Sequence, residues 1–280
     1  MPEEKTKLKF ILGLGAQRAG TTWLFNYLLS RDNFTPGFDK EFHVFDTATI
    51  KECFGFRKDL EKSAAQSRFV NAKIIHDDVI RLKMISNPDL YFEYCLHLLK
   101  TPGINITADI TPSYSGLSSE TLEYIKDEFT KRNIEVLPIF IIREPVRRLA
   151  SMAKLQLYNQ SMRPTKNELI LHMQKLVGSS QDRLRSDYKK TITNLENVFG
   201  KKIFISFFEE LFSSSSVQSL CEFLGIHFTE ASYRQTINQL DESIMLTQDD
   251  LSAFSEYYQE QYDFVHNKFG HERTRALWKI

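Results

Sequence analysis

Cysteine is scarce in this chain and net charge is absent. Cys53, Cys95 and Cys221 are the only three cysteines in 280 residues, and they lie far apart. An odd number at such spacing supports neither a disulfide framework nor a metal cluster, and free thiols suit a reducing compartment. The 36 Lys and Arg are balanced by 36 Asp and Glu. A formal charge of zero argues against a broad basic surface for nucleic acid but leaves room for a local basic pocket. No apolar run is long enough to span a bilayer. The opening, MPEEKTKLKFILGLG, puts acidic residues before a short apolar stretch and has no cleavage site, so it is not read as a signal peptide. A cytoplasmic protein is expected. Repeats and linkers are also missing, which leaves one domain over residues 1–280 as the simplest organisation.

Four apolar runs read as buried parallel strands: Leu8–Leu14, Ile104–Ala108, Ile139–Ile142 and Ile203–Phe207. The first and third are nearly continuous, while the second and fourth alternate and belong nearer a sheet edge. Helical spacing fills the intervals, over Thr21–Ser30, Glu120–Thr130, Pro145–Tyr158, Asp187–Val198 and Val217–Leu224. This alternation predicts an α/β fold of three layers, with a parallel central sheet and helices on both faces. Residues 47–100 are expected to form a mostly helical insertion. Residues 162–185 are polar and irregular and are expected to form a loop over a site. The carboxyl end reads as an amphipathic helix followed by a short tail with Trp278.

One residue is conspicuously missing from the stretch GAQRAGTTW, Gly15 to Trp23. Gly15 and Gly20 have the spacing of a phosphate-binding loop, and the stretch follows a strand and opens a helix. The first turn of that helix offers unpaired N–H groups to an anion, and Thr21 and Thr22 add hydroxyls. Yet no lysine precedes the threonines. Loops that serve ATP or GTP use that lysine on the terminal phosphates. Here the charge is Arg18, inside the loop, which suits a less charged transferable group such as phosphosulfate.

The stretch resembles the 5′-phosphosulfate loop of sulfotransferases, whose donor is 3′-phosphoadenosine 5′-phosphosulfate (PAPS) and whose product is the bisphosphate PAP. The resemblance implies a P-loop NTPase-like fold and a nucleotide held by Gln17, Arg18, Ala19, Gly20, Thr21 and Thr22. Trp23 matches a tryptophan that stacks on adenine in cytosolic members; as a residue it reads equally as a core aromatic. A second segment, REPVRRLAS, resembles the family's 3′-phosphate site, which assigns that phosphate to Arg143 and Ser151. A guanidinium gives two parallel hydrogen bonds to phosphate, and a serine hydroxyl adds a third donor. Tyr188 lies where family members often contact the nucleotide, and also reads as a core-edge tyrosine. Arg148 and Lys154 read as solvated charges.

The segment DKEFHVFD, Asp39 to Asp46, is similar to the KExHFFD segment of heparan-type and bacterial sulfotransferases. By that resemblance Glu41 is the base that takes the acceptor's proton, with Lys40, His43 and Asp46 nearby. His43 is the rival base, since cytosolic members use histidine. An extended segment would put Glu41 and His43 on one side. Asp109, Thr111, Pro112 and Tyr114 match a further family segment, but Ile110 stands where heparan-type members carry a lysine. Asp109 also sits where nucleotide hydrolases keep an Mg²⁺-ordering acid. No metal is expected. The reading is thus a PAPS-dependent sulfotransferase acting on a hydroxyl or amine of a small-molecule or carbohydrate acceptor. The alternatives are a P-loop small-molecule kinase and a non-catalytic nucleotide-binding protein.

Overall fold

The computed structural model describes residues 7–67, 77–160, 162–230 and 244–279. The elements along the chain are β1 (Leu8–Gly13), α1 (Thr21–Leu29), β2 (Phe34–Thr35), α2 (Phe45–Thr49), α3 (Phe54–Ser67), α4 (Asp77–Ser86) and α5 (Asp89–Leu99). There follow β3 (Ile106–Ile110), α6 (Ser119–Lys131), β4 (Ile134–Ile142), α7 (Pro145–Asn159), α8 (Lys166–Leu176), α9 (Ser180–Ser186) and α10 (Tyr188–Phe199). The chain continues through β5 (Phe204–Phe207), α11 (Ser214–Leu224), α12 (Gln248–Ser252), α13 (Gln259–Phe269) and α14 (His271–Trp278).

The five strands form one parallel sheet in the order β2-β3-β1-β4-β5. Successive strand residues point to opposite faces. All five residues of β3 are buried, as are eight of the nine in β4, so helices cover the sheet on both faces. From β1 the chain runs out to β2 and β3 on one side, then crosses to β4 and β5 on the other. The carboxyl end of β1 is therefore a topological switch point, where open α/β sheets leave a crevice for ligands. The core around it is rich in aromatics. Phe10 stacks on Phe129 at 4.1 Å, and Tyr91 meets Phe45 and Phe42 edge-on.

Several sequence expectations need adjusting. The strand expected at Ile104–Ala108 lies two residues later, because Asp109 is inside the strand and is fully buried. The third strand begins at Ile134 rather than Ile139 and so takes in Pro138. β2 has only two residues and was not anticipated. Residues 162–185 are not a loop: Thr165 closes a capping box on α8 and Ser179 caps α9. The region expected as an insertion carries α2 to α5, with residues 68–76 outside the described residues. The carboxyl tail is a second helix, whose Trp278 is 1% exposed and packs on Phe207 and Tyr262.

Arg148 is the clearest reversal. It is fully buried rather than solvated, and its guanidinium pairs with Asp182, which also accepts from Tyr258 at 2.7 Å and from the Gly178 amide at 3.1 Å. Removing one partner of such a pair strands a buried charge. An Asp182→Asn variant is expected to lose about 3–5 kcal/mol in urea unfolding. A loss below about 1 kcal/mol, the scale of a solvated surface pair, would contradict the buried pairing.

Candidate active site

The loop after β1 stays zipped to β4 before it turns away. Leu14 donates to the Ile139 carbonyl, and Ile141 donates to the Gly15 carbonyl. Gly15 then adopts φ 106° with its α-carbon against Pro112, where a side chain would meet the Pro112 carbonyl at 2.8 Å. Gly20 ends the turn at φ 88° and starts α1 with no side-chain cap and no acid in the first turn. By contrast α6 to α12 are each capped by a side chain. The start of α1 thus leaves its first N–H groups without a side-chain cap.

Arg18 has φ 67°, one of four positive values among the described non-glycine residues. This turns its side chain across to α7, where its Nε donates to Ser151 Oγ at 3.0 Å. Arg143 leaves the carboxyl end of β4 and donates from Nη1 to the Arg18 carbonyl at 2.8 Å. Its guanidinium lies 4.3 Å from the Phe208 ring centroid. Burial lowers its pKa to about 10, so it remains charged at neutral pH. The loop and the Arg143–Ser151 segment, distant in sequence, therefore converge on one point. Glu144, next to Arg143 in the chain, caps α7 through the amides of Val146 (3.0 Å) and Arg147 (2.7 Å).

Four other residues named from sequence have surroundings of their own. Tyr188 is fully buried, and its hydroxyl donates to the Arg143 carbonyl at 2.7 Å, so it supports Arg143. Trp23 is 5% exposed, with its ring stacked on Tyr27 at 5.5 Å and edge-on to Phe212. Its packing is that of a core aromatic. Ala19 is buried inside the turn, and Gln17 has a buried Oε1 without a protein partner.

The Asp39–Asp46 segment lies against the same loop. Its path is set by Asp109, which accepts from the Phe42 amide (3.1 Å), Thr111 (2.6 Å), Tyr91 (3.1 Å) and Tyr114 (2.8 Å). Burial raises its pKa to about 6. With both oxygens engaged by protein donors, Asp109 organises the segment rather than presenting a carboxylate to Mg²⁺. Glu41 and His43 do face each other, but not by strand alternation. His43 turns into the left-handed region at φ 54°, which brings its Nε2 to 3.2 Å from Glu41 Oε2. Its Nδ1 is 2.7 Å from Asp46, which also accepts from Ser113. Lys40 completes the row, with its Nζ 2.6 Å from Glu41 Oε1 and 3.4 Å from both Thr21 Oγ1 and Thr22 Oγ1.

The charges in this row alternate. Burial opposes the imidazolium, but the two carboxylates outweigh it and raise His43 to about 9. Burial likewise opposes the Glu41 carboxylate, but His43 and Lys40 hold it below the ordinary glutamate range. A cavity of about 520 Å³ opens beside the row, with Phe56, Leu60, Asp59 and Arg81 among its walls. Sequence alone gave Lys40 no role. Its only local signal is the cation next to Glu41, and its approach to the loop depends on the fold.

No protein-family model and no curated protein matches the chain. Among solved structures, its fold is similar to that of a sulfotransferase from Alicyclobacillus acidocaldarius. The TM-score is 0.57, with 16% identity over 95% of this chain and 96% of that one. A sulfotransferase from Mycobacterium avium (TM-score 0.46, 14% identity, 92% and 76% covered) is a more distant likeness. So is the sulfotransferase domain of the Synechococcus PCC 7002 olefin synthase (0.44, 16%, 90% and 94%). At these identities the likeness is one of fold. No described helix is long and apolar enough to cross a membrane.

The His43 clamp has a consequence for stability. A histidine raised from 6.5 to about 9 on folding contributes fully below pH 6.5, and that contribution is lost as pH rises through about 9. Urea unfolding is therefore expected to show a fall on the order of 3 kcal/mol across that window. A His43→Asn variant should flatten it. An unchanged slope in the variant would contradict the clamp.

Proposed function

We propose that this protein transfers the sulfuryl group of PAPS to a hydroxyl or amine of a small acceptor, which includes small carbohydrates. The observation that carries the reading is the contact of Arg18 with Ser151 at 3.0 Å and of Arg143 with the Arg18 backbone at 2.8 Å. A nucleotide phosphorylated at both 3′ and 5′ carries two anions on one ribose. This cluster offers two guanidinium groups, a serine hydroxyl, two threonine hydroxyls and an uncapped helix start. That donor set fits PAP chemistry.

In this reading Arg143 and Ser151 hold the 3′-phosphate, and Arg18, Thr21 and Thr22 hold the 5′ side. Arg18 offsets the charge that gathers on the leaving phosphate oxygen. Glu41 takes the acceptor's proton as the acceptor atom bonds to sulfur. His43 is the weaker candidate, because an imidazolium between two carboxylates has no lone pair with which to accept a proton at neutral pH. Its part is to orient Glu41. The acceptor occupies the cavity beside Glu41, with Phe56 as an apolar wall. The kinase alternative is disfavoured by the four hydrogen bonds that occupy Asp109. A single domain, a cytoplasmic setting and a reaction without metal belong to the same proposal.

Calorimetry with PAP and with ATP, each with and without Mg²⁺, tests it. PAP is expected to bind without Mg²⁺ and more tightly than ATP; Mg²⁺-dependent ATP binding without PAP binding would instead indicate a kinase. A Glu41→Gln variant should keep PAP affinity and lose about 10²–10⁴-fold in turnover. Unchanged turnover would remove Glu41 from its role.

A further inference from the structure

The loop after β1 lacks a lysine, yet an ammonium group stands over its threonines. We propose that Lys40, 18 residues after Thr22, contacts the oxygen joining phosphate to sulfur and acts with Arg18 as a catalytic cation for its departure. This rests on the PAPS reading above. Three observations carry it.

First, Lys40 Nζ lies 3.4 Å from both Thr21 Oγ1 and Thr22 Oγ1, at the uncapped start of α1. An anion seated there meets the ammonium directly. Second, the lysine is held in place from its backbone. Its carbonyl accepts from the Ile110 amide at 2.9 Å, at the end of β3, and its amide donates to Asp39 at 2.6 Å. Arg81 pairs with Asp39 and donates to the Glu41 carbonyl at 3.2 Å, so both flanks of Lys40 are fixed to α4. Third, its one charged partner among the described residues is Glu41, at 2.6 Å, and its side chain is 15% exposed. An ammonium has three donors. Here one serves the base and two point at neutral hydroxyls on the donor side.

Lys40 thus stands between the two ends of the reaction. As the sulfur–oxygen bond to the 5′-phosphate breaks, its electron pair stays on the phosphate oxygen, where the ammonium offsets the new charge. The acceptor atom forms the new bond to sulfur, and its proton passes to Glu41. An ammonium drawn to the donor's oxygens also releases Glu41 Oε1 for that proton, so donor binding and base availability are linked through one side chain.

The rival is a purely positioning lysine that only pairs with Glu41. Binding separates the two without turnover. A Lys40→Met variant is expected to lose PAP affinity by about tenfold or more, the scale of a charge-assisted hydrogen bond, while adenosine 3′-monophosphate, which lacks the 5′-phosphate, binds as to the unaltered protein. A Glu41→Gln variant, which removes the lysine's carboxylate partner, should bind PAP at least as tightly as before. Alkylation of a Lys40→Cys variant with 2-bromoethylamine rebuilds an ammonium of lysine length and should restore both PAP affinity and turnover. The native cysteines are buried and spared. Unchanged PAP affinity in Lys40→Met, or failure of the rebuilt ammonium to restore it, overturns the lysine proposal alone. Absence of PAP binding by the unaltered protein overturns the donor assignment itself.

Discussion

Arg18 reaching from the first loop to Ser151 on α7 is the contact around which this site is arranged. The loop and α7 are joined to neighbouring strands, β1 and β4, that lie side by side in the sheet. Strand pairing brings the two segments within range, and the left-handed turn at Arg18 aims the guanidinium across the gap. Arg143 fastens the same loop from the other end of its reach, through the Arg18 carbonyl. A non-glycine residue held at positive φ costs free energy, and the surrounding hydrogen bonds hold it there.

The side proposed to hold the base is built on a different device. Asp109 is a buried carboxyl that accepts four hydrogen bonds from the segment and helices around it. Tyr114, one of its donors, accepts in turn from the Val44 amide at 3.1 Å. This fixes the path of the 39–46 chain, and the path fixes the sequence of charges along it. Lys40, Glu41, His43 and Asp46 alternate in sign, so Glu41 lies between two cations that hold it ionised despite burial. In the proposed reaction, a Glu41 oriented on both oxygens loses little freedom when an acceptor arrives. The proposed donor cradle and the proposed base are thus separate constructions that meet at Lys40.

Much of this was legible where chemistry and spacing are local. The glycine spacing of the loop, the arginine after an apolar strand and the Glu41–His43 pair all lie within short windows, and the fold class follows from apolar runs separated by helical periods. The misses share a cause, which is dependence on distant partners. Two-residue β2 has no periodicity to read. Asp109 breaks the apolar pattern of β3, and its burial is tolerable because Tyr91, Tyr114, Thr111 and the Phe42 amide supply donors. Arg148 reads as a surface charge until Asp182 is placed beside it. The helices within 162–185 are polar, with Leu169 and Met173 as the buried residues of α8, too few for a clear stripe. Trp23 and Tyr188 were readable as ligand contacts or as core, and their surroundings are core. Lys40 is legible only as a cation beside Glu41, because its approach to Thr21 and Thr22 is a product of the whole fold.

The central claim is that one ligand spans two separately built phosphate sites, and it has a direct measurement. PAP and AMP, which share the 5′-phosphate and differ in the 3′-phosphate, are titrated against the protein and its Arg143→Ala variant. The account predicts that PAP binds more tightly than AMP, and that the substitution removes most of this difference while leaving AMP affinity nearly unchanged. Equal affinity for the two nucleotides, or an equal loss for both in the variant, would contradict it.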